Sequence, residues 1–328
     1  MIAVTGINGL LGSRIAHQLD EDSTPFIGIK RAKSDTALIN HLSINYKDAD
    51  LLDVGALHEA LEGVRTVIHT AALVSFKSND AEQLYRINVE GTRNVVNTCL
   101  SLGIPRLIHV SSVAALGRQK GMYQINEDNK WVDSKLNSDY AESKYLAELE
   151  VFRGQEEGLE IDIVNPSVIL SQSDWDRSSA QFFKYAWKNK PFYTQGSINY
   201  VDVRDVVTMI GLLLKREATG ERHIANGGTV PLKDILTKVA GRFNKKAPWI
   251  KVPGSLVSVA AWIESARSWI TGNEPLVTPQ SARTAHEKFF YNNEKAIKKL
   301  GMQFRSLDET LEWCCSYYLQ NSTINNRN

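Results

Sequence analysis

The chain is predicted to be an α/β protein: a doubly wound parallel sheet with a smaller, discontinuous substrate part in its carboxy-terminal half. Three observations carry this. Short apolar runs alternate with stretches of helical period, a glycine-rich turn joins the first run to the first helical stretch, and the rhythm breaks after Asn165-Pro166.

Ile2 to Val4 reads as a buried strand that feeds the glycine turn, and Leu11, Ile15 and Leu19 then form one stripe of a helix. Further strands are expected at Phe26 to Ile29, Val64 to His69, Arg106 to Ser111 and Glu160 to Asn165. Helical patterns at Gly55 to Glu62, Ala81 to Leu102 and Tyr140 to Gly154 separate them. Residues 1–165 therefore form the nucleotide-type domain, with returns near 198–226, where Val201 to Leu214 and Arg222 to Ala225 rejoin it. Residues 166–197 and 227–320 make the substrate part, and the polar segment 321–328 is expected to be disordered.

Composition excludes several classes. With 38 basic and 37 acidic side chains the net charge is +1, which gives no reason to expect a nucleic-acid partner. No apolar run approaches the ~18 residues of a membrane span. Leu256 to Ile270 is amphipathic and reads as a cover for the substrate cleft. Cys99, Cys314 and Cys315 have no metal-ligand spacing, and the seven histidines are scattered, so no metal is expected. The cysteine usage, and a glycine turn where a signal peptide would need its apolar region, indicate a cytoplasmic protein.

Two clusters carry chemistry. In Thr5-Gly6-Ile7-Asn8-Gly9-Leu10-Leu11-Gly12, a first glycine lets the strand turn and a second lets the backbone approach a pyrophosphate. A third permits close packing, and the following helix aims its amides at the anion. Far downstream, Tyr140 and Lys144 lie four apart on one helix face, where an ammonium is expected to lower the phenol pKa. Ser111-Ser112 ends an apolar run between them. A nucleotide cradle with a Ser, Tyr and Lys trio points to hydride transfer assisted by a tyrosine acid.

These motifs, in this order, resemble the extended branch of the short-chain dehydrogenase/reductase superfamily: epimerases, dehydratases and reductases of the dihydroflavonol 4-reductase and 3β-hydroxysteroid dehydrogenase type. His69 to Ala72, Asn88 to Thr92 and Val201 to Asp205 extend the likeness over almost the whole chain. The resemblance implies a Rossmann-type fold, catalytic residues Ser112, Tyr140 and Lys144, and a homodimer formed through 81–102 and 140–154. It selects Ser112 over Ser111 because Gly117 follows Ser112 by five places. It also implies that Asp50 and Leu51 flank the adenine and that Thr70, Ala71 and Ala72 line the dinucleotide. Asn88 would order that loop, Ser111 would stand behind Ser112 on the cofactor-binding side, and Pro166 and Val168 would lie beside the nicotinamide. The chain departs from the pattern at Asn165 and Ser171, where arginine and glycine are common. Trp175, Phe182, Phe183, Trp187 and Tyr193 fall where the family shapes its substrate cleft, and an apolar aromatic cleft is expected there.

Cofactor choice turns on the end of the second strand. Arg31 stands there where NAD users carry an acid, so NADP(H) is favoured and NAD(H) remains the alternative. Val113-Ala114-Ala115-Leu116-Gly117 follows Ser112 without an acidic residue, which disfavours dehydration and resembles the ketone reductases. The first reading is therefore an NADPH-dependent reductase of a bulky small-molecule carbonyl. The second is a nucleotide-sugar epimerase with tightly held NAD, and the third is a nucleotide sensor without turnover, against which the intact trio argues.

Overall fold

The computed structural model describes residues 1–175, 180–253 and 289–325. In chain order the elements begin with β1 (Ile2–Thr5), α1 (Leu10–Glu21), β2 (Phe26–Lys30), β3 (Asn45–Asp48), α2 (Val54–Leu61) and β4 (Thr66–His69). Next come α3 (Ala81–Leu84), a π-helical turn (Tyr85–Glu90), α4 (Gly91–Ser101), β5 (Arg106–Val110), β6 (Gln124–Ile125), α5 (Asp139–Glu156) and β7 (Glu160–Pro166). The second half contains β8 (Val168–Leu170), α6 (Ala180–Trp187), β9 (Phe192–Tyr193), β10 (Ser197–Asp202), α7 (Val203–Leu214), β11 (Arg222–Ala225), β12 (Gly228–Pro231) and α8 (Leu232–Arg242). It continues with β13 (Ile250–Lys251), β14 (Phe290–Tyr291), α9 (Glu294–Leu300) and α10 (Leu307–Asn325).

Seven parallel strands form the central sheet in the order β11-β7-β5-β4-β1-β2-β3. Its two faces are covered by different helices, as a doubly wound sheet requires. One face buries Leu11, Ile15 and Leu19 of α1 with Val206, Ile210 and Leu213 of α7. The other buries Leu57 of α2, Val95 and Cys99 of α4 and Val151 of α5. The chain leaves β3 at one edge and re-enters at β4 beside β1, so the strand order reverses between β1 and β4 and opens a crevice at their carboxyl ends.

The second half departs from the expectation in detail. Ser197–Asp202 is not part of the main sheet but pairs with β8 and β12 in a three-stranded sheet of its own, while α7 and β11 return to the main body. Phe183, expected on the wall of an aromatic cleft, is buried, whereas Trp175, Phe182, Trp187 and Tyr193 are partly buried. They join a hydrophobic core with Phe243 and Tyr318, in which Trp175 lies 4.3 Å from Tyr318 between ring centres and Trp187 lies 5.1 Å from Phe243. Burying such large apolar surfaces against each other outweighs displaying them to water. The tail expected to be disordered from residue 321 begins instead as the end of α10, which runs to Asn325. A helix anchored by buried Tyr318 extends at little cost per residue. Leu256 to Ile270, with Trp262 and Trp269, and His286 lie outside the described residues. Among the described residues no helix is long and apolar enough to cross a membrane.

Candidate active site

The crevice begins at the glycine turn. Gly6 adopts φ +67°, and a Cβ there would lie 2.7 Å from the Ala71 Cα, so only glycine fits between β1 and the loop after β4. Gly12 was expected to admit close helix-on-strand packing. Its tight neighbour is the turn itself, since a Cβ would stand 2.2 Å from the Gly6 carbonyl oxygen. Gly9 is freer and forms the N-cap of α1, with no side-chain cap and no acidic residue in the first turn. The leading amides around Leu10 and Leu11 are thus left for an anion. Asn8 Nδ2 donates to the Asp35 carbonyl at 3.1 Å and ties the turn to the loop after β2. Arg31, next to β2, is exposed and has no side-chain partner among the described residues, whereas Lys30 is paired with Asp48 at 2.7 Å.

Beside the turn, the Thr70 hydroxyl donates to the Thr5 carbonyl at 2.6 Å, which fixes the entry to Ala71-Ala72. Asn88, buried in the π-helical turn, then clamps this loop. Its Oδ1 accepts from the Leu73 amide at 2.7 Å, and its Nδ2 donates to the Leu73 carbonyl and to Ser143 Oγ, each at 3.0 Å. Ser143 belongs to α5, so one side chain joins the loop after β4 to the helix bearing Tyr140 and Lys144. Asp50 accepts from the Leu52 amide, and the Leu51 carbonyl accepts from Asn94 Nδ2 at 2.9 Å, which ties this pair to α4.

α5 starts cleanly because Ser138 Oγ caps the Ala141 amide at 3.1 Å. That cap sets Tyr140 in the first turn and Lys144 one turn deeper. The half-buried Tyr140 phenol hydrogen-bonds the Ser112 side chain, while Ser112 Oγ also accepts from the Ala114 amide at 3.2 Å. Lys144 is buried and donates to the Val110 carbonyl at 2.9 Å. Burial draws its pKa down to about 8, opposed by the charge of Glu148. The expected lowering of the phenol is not seen: burial pushes Tyr140 up, against a smaller opposite effect of Ser112. The phenol is therefore held protonated at neutral pH.

The residues present fit a dinucleotide. Ser111 Oγ and Ser167 Oγ are buried polar atoms with no hydrogen-bond partner among the described residues. They lie at the carboxyl ends of the adjacent strands β5 and β7, where Val110 registers with Val164 and the Ser111 amide donates to the Val164 carbonyl. Pro166 is buried beside them and Val168 is exposed. Ser112, Tyr140 and Lys144 are brought together, with the glycine turn across the crevice. Missed in sequence were Glu148, one turn beyond Lys144, and Arg222, which pairs with it at 2.7 Å. The i+4 spacing from Lys144 was the available signal for Glu148, whereas none pointed to Arg222. Among the described residues no cluster of three or more His, Cys, Asp or Glu side chains forms a metal site.

Residues 2–228 match the model of the NAD dependent epimerase/dehydratase family. A Synechocystis sp. protein provisionally named dihydroflavonol 4-reductase is 31% identical over 316 residues, 94% of this chain and 91% of the relative. Sterol demethylase protein B of Methylococcus capsulatus is 27% identical over 305 residues, 91% of this chain and 92% of the relative. The crystal structure of gox2253 superposes with a TM-score of 0.83 at 31% identity, covering 98% of each chain.

Proposed function

The chain belongs to the NAD-dependent epimerase/dehydratase family of enzymes, and from that premise we propose that it is an NADP(H)-preferring carbonyl reductase, or alcohol dehydrogenase in reverse, acting on a bulky small molecule. One observation carries this reading: a phenol kept protonated by burial, hydrogen-bonded to a serine and one turn from a buried lysine, at the crevice that the glycine turn opens. The bound dinucleotide supplies the hydride. Gly9 and the leading amides of α1 would hold its pyrophosphate, and Arg31 its 2′-phosphate. Ser112 and Tyr140 would grip the carbonyl oxygen, and Tyr140 would give it the proton as the carbon is reduced. Lys144, anchored on the Val110 carbonyl, would contact the nicotinamide ribose. The apolar turn Val113–Leu116 after Ser112 offers no acid for an elimination.

The test is Tyr140→Phe in a screen of ketones and aldehydes with NADPH. Turnover should fall at least ~100-fold with cofactor binding spared, the scale of a lost general acid. Retained activity rejects Tyr140 as the acid, and one equivalent of NAD released on denaturing the fresh protein favours an epimerase instead. A homodimer through α4 and α5 is supported by Leu149 and Tyr85, exposed apolar residues on α5 and on the π-turn preceding α4. A monomer by light scattering refutes it.

A further inference from the structure

Beneath the Tyr140 site lies a charged group that hydride transfer does not require. Glu148 is fully buried on α5, and Arg222 Nε of β11 donates to its Oε2 at 2.7 Å. Asn165 Nδ2 of β7 donates to its Oε1 at 2.6 Å, and the same amide reaches the Ser112 carbonyl at 3.0 Å. Register explains the meeting. Arg222 stands opposite Ile163 in the parallel pair, and Ile163 and Asn165 point to the same face of the sheet. Where the resemblance leads one to expect arginine at 165, the guanidinium comes from the neighbouring strand, steadied over the Phe152 ring at 5.2 Å.

A buried ion pair is a poor stabiliser, since desolvating both charges offsets most of their attraction. This one connects instead to the site. Resting on the reductase reading above, we propose that Glu148 is a positioning residue: through Asn165 it fixes the backbone at Ser112, and along its own helix it sets a negative charge facing Lys144. Among the described residues, the other ionisable side chains packed about Lys144 are Tyr140, His69 and His109, and none of them carries negative charge at neutral pH, burial keeping both rings neutral and the phenol protonated. Glu148 is thus the counter-charge that offsets the burial of the ammonium.

Two variants test the two arms. Glu148→Gln keeps the acceptor for Asn165 and removes the charge. Competitive labelling with trace acetic anhydride across pH, read by mass spectrometry on the Lys144 peptide, should show its titration midpoint falling by about one pH unit. An unchanged midpoint overturns the electrostatic arm. Should Glu148→Gln not fold, Glu148→Gln/Arg222→Gln removes the pair without stranding the guanidinium, and the same shift is expected. Asn165→Ala should lower kcat about tenfold or more while leaving the affinity for NADPH within about twofold, as loss of alignment without loss of binding does. A fall in Tm with kcat unchanged would make the network merely structural. Labelling needs no turnover, so it can fail or succeed independently of the Tyr140→Phe result.

Discussion

His109→Leu should make the protein more resistant to acid. His109 lies on β5 with its ring 5.2 Å from that of His69 on β4, and both are buried. Neither His109 nitrogen has a partner among the described residues. Burial pulls the His69 pKa from 6.5 to about 3 and that of His109 well below 6.5, with the nearby Lys144 charge adding to both. In the unfolded chain each ring takes up a proton below pH 6.5, whereas in the folded protein it does not. The unfolded state then binds more protons, so stability is present above pH 6.5 and is lost as pH falls towards the native values. At pH 5, about one and a half units below 6.5, each ring costs about 2 kcal/mol, hence about 4 kcal/mol for the two. His109→Leu deletes one contribution and sacrifices no hydrogen bond, so the stability lost between pH 7.5 and 5 should shrink by about 2 kcal/mol. Urea unfolding followed by tryptophan fluorescence at the two pH values measures this. Equal acid losses in variant and parent would refute the claim that His109 is held neutral.

Three further outcomes follow from the site. Gly12→Ala places a methyl against the Gly6 carbonyl, and the turn must open by more than the ~1 Å that separates 2.2 Å from an acceptable contact. NADPH affinity, read by fluorescence titration, should drop at least ~10-fold, and an unchanged affinity would show that the turn does not hold the cofactor. Asn88→Ala removes three hydrogen bonds and should cost about 3 kcal/mol in thermal unfolding. A loss under about 1 kcal/mol would mean the clamp is not needed. Arg31→Ala should weaken NADPH binding by ~10-fold or more while leaving NADH nearly unaffected, and equal losses would dismiss Arg31 as the 2′-phosphate ligand.

Much of the main sheet was legible because β1, β2, β4, β5 and β7 are buried on both faces and read as apolar runs. β3 was not, since Asn45–Asp48 lies at the sheet edge with mostly exposed side chains and no apolar run. The separate sheet of β8, β10 and β12 was also hidden, because periodicity marks a strand but not the sheet it joins. Local spacing singled out Tyr140, Lys144 and the glycine turn as candidates, since each pattern lies within one short segment. The fate of Trp175 and Trp187 depends on Phe243 and Tyr318, which arrive from α8 and α10 far along the chain, and aromatic content alone does not separate a core from a cleft. Arg222 escaped for the same reason: its partner Glu148 lies 74 residues away and meets it only through the register of β11 on β7.

The clamp at Asn88 also bears on how defects here will look in kinetic data. Because one amide holds both Leu73 and Ser143, the loop after β4 and the helix that carries Tyr140 form a single mechanical body. Ser143 sits between Tyr140 and Lys144, and its hydroxyl donates back to the Tyr140 carbonyl at 2.9 Å, so a displaced loop displaces Tyr140 with it. Lesions along this joint will therefore register in cofactor affinity and in the chemical step together, and a paired loss of that kind marks the joint rather than two separate faults.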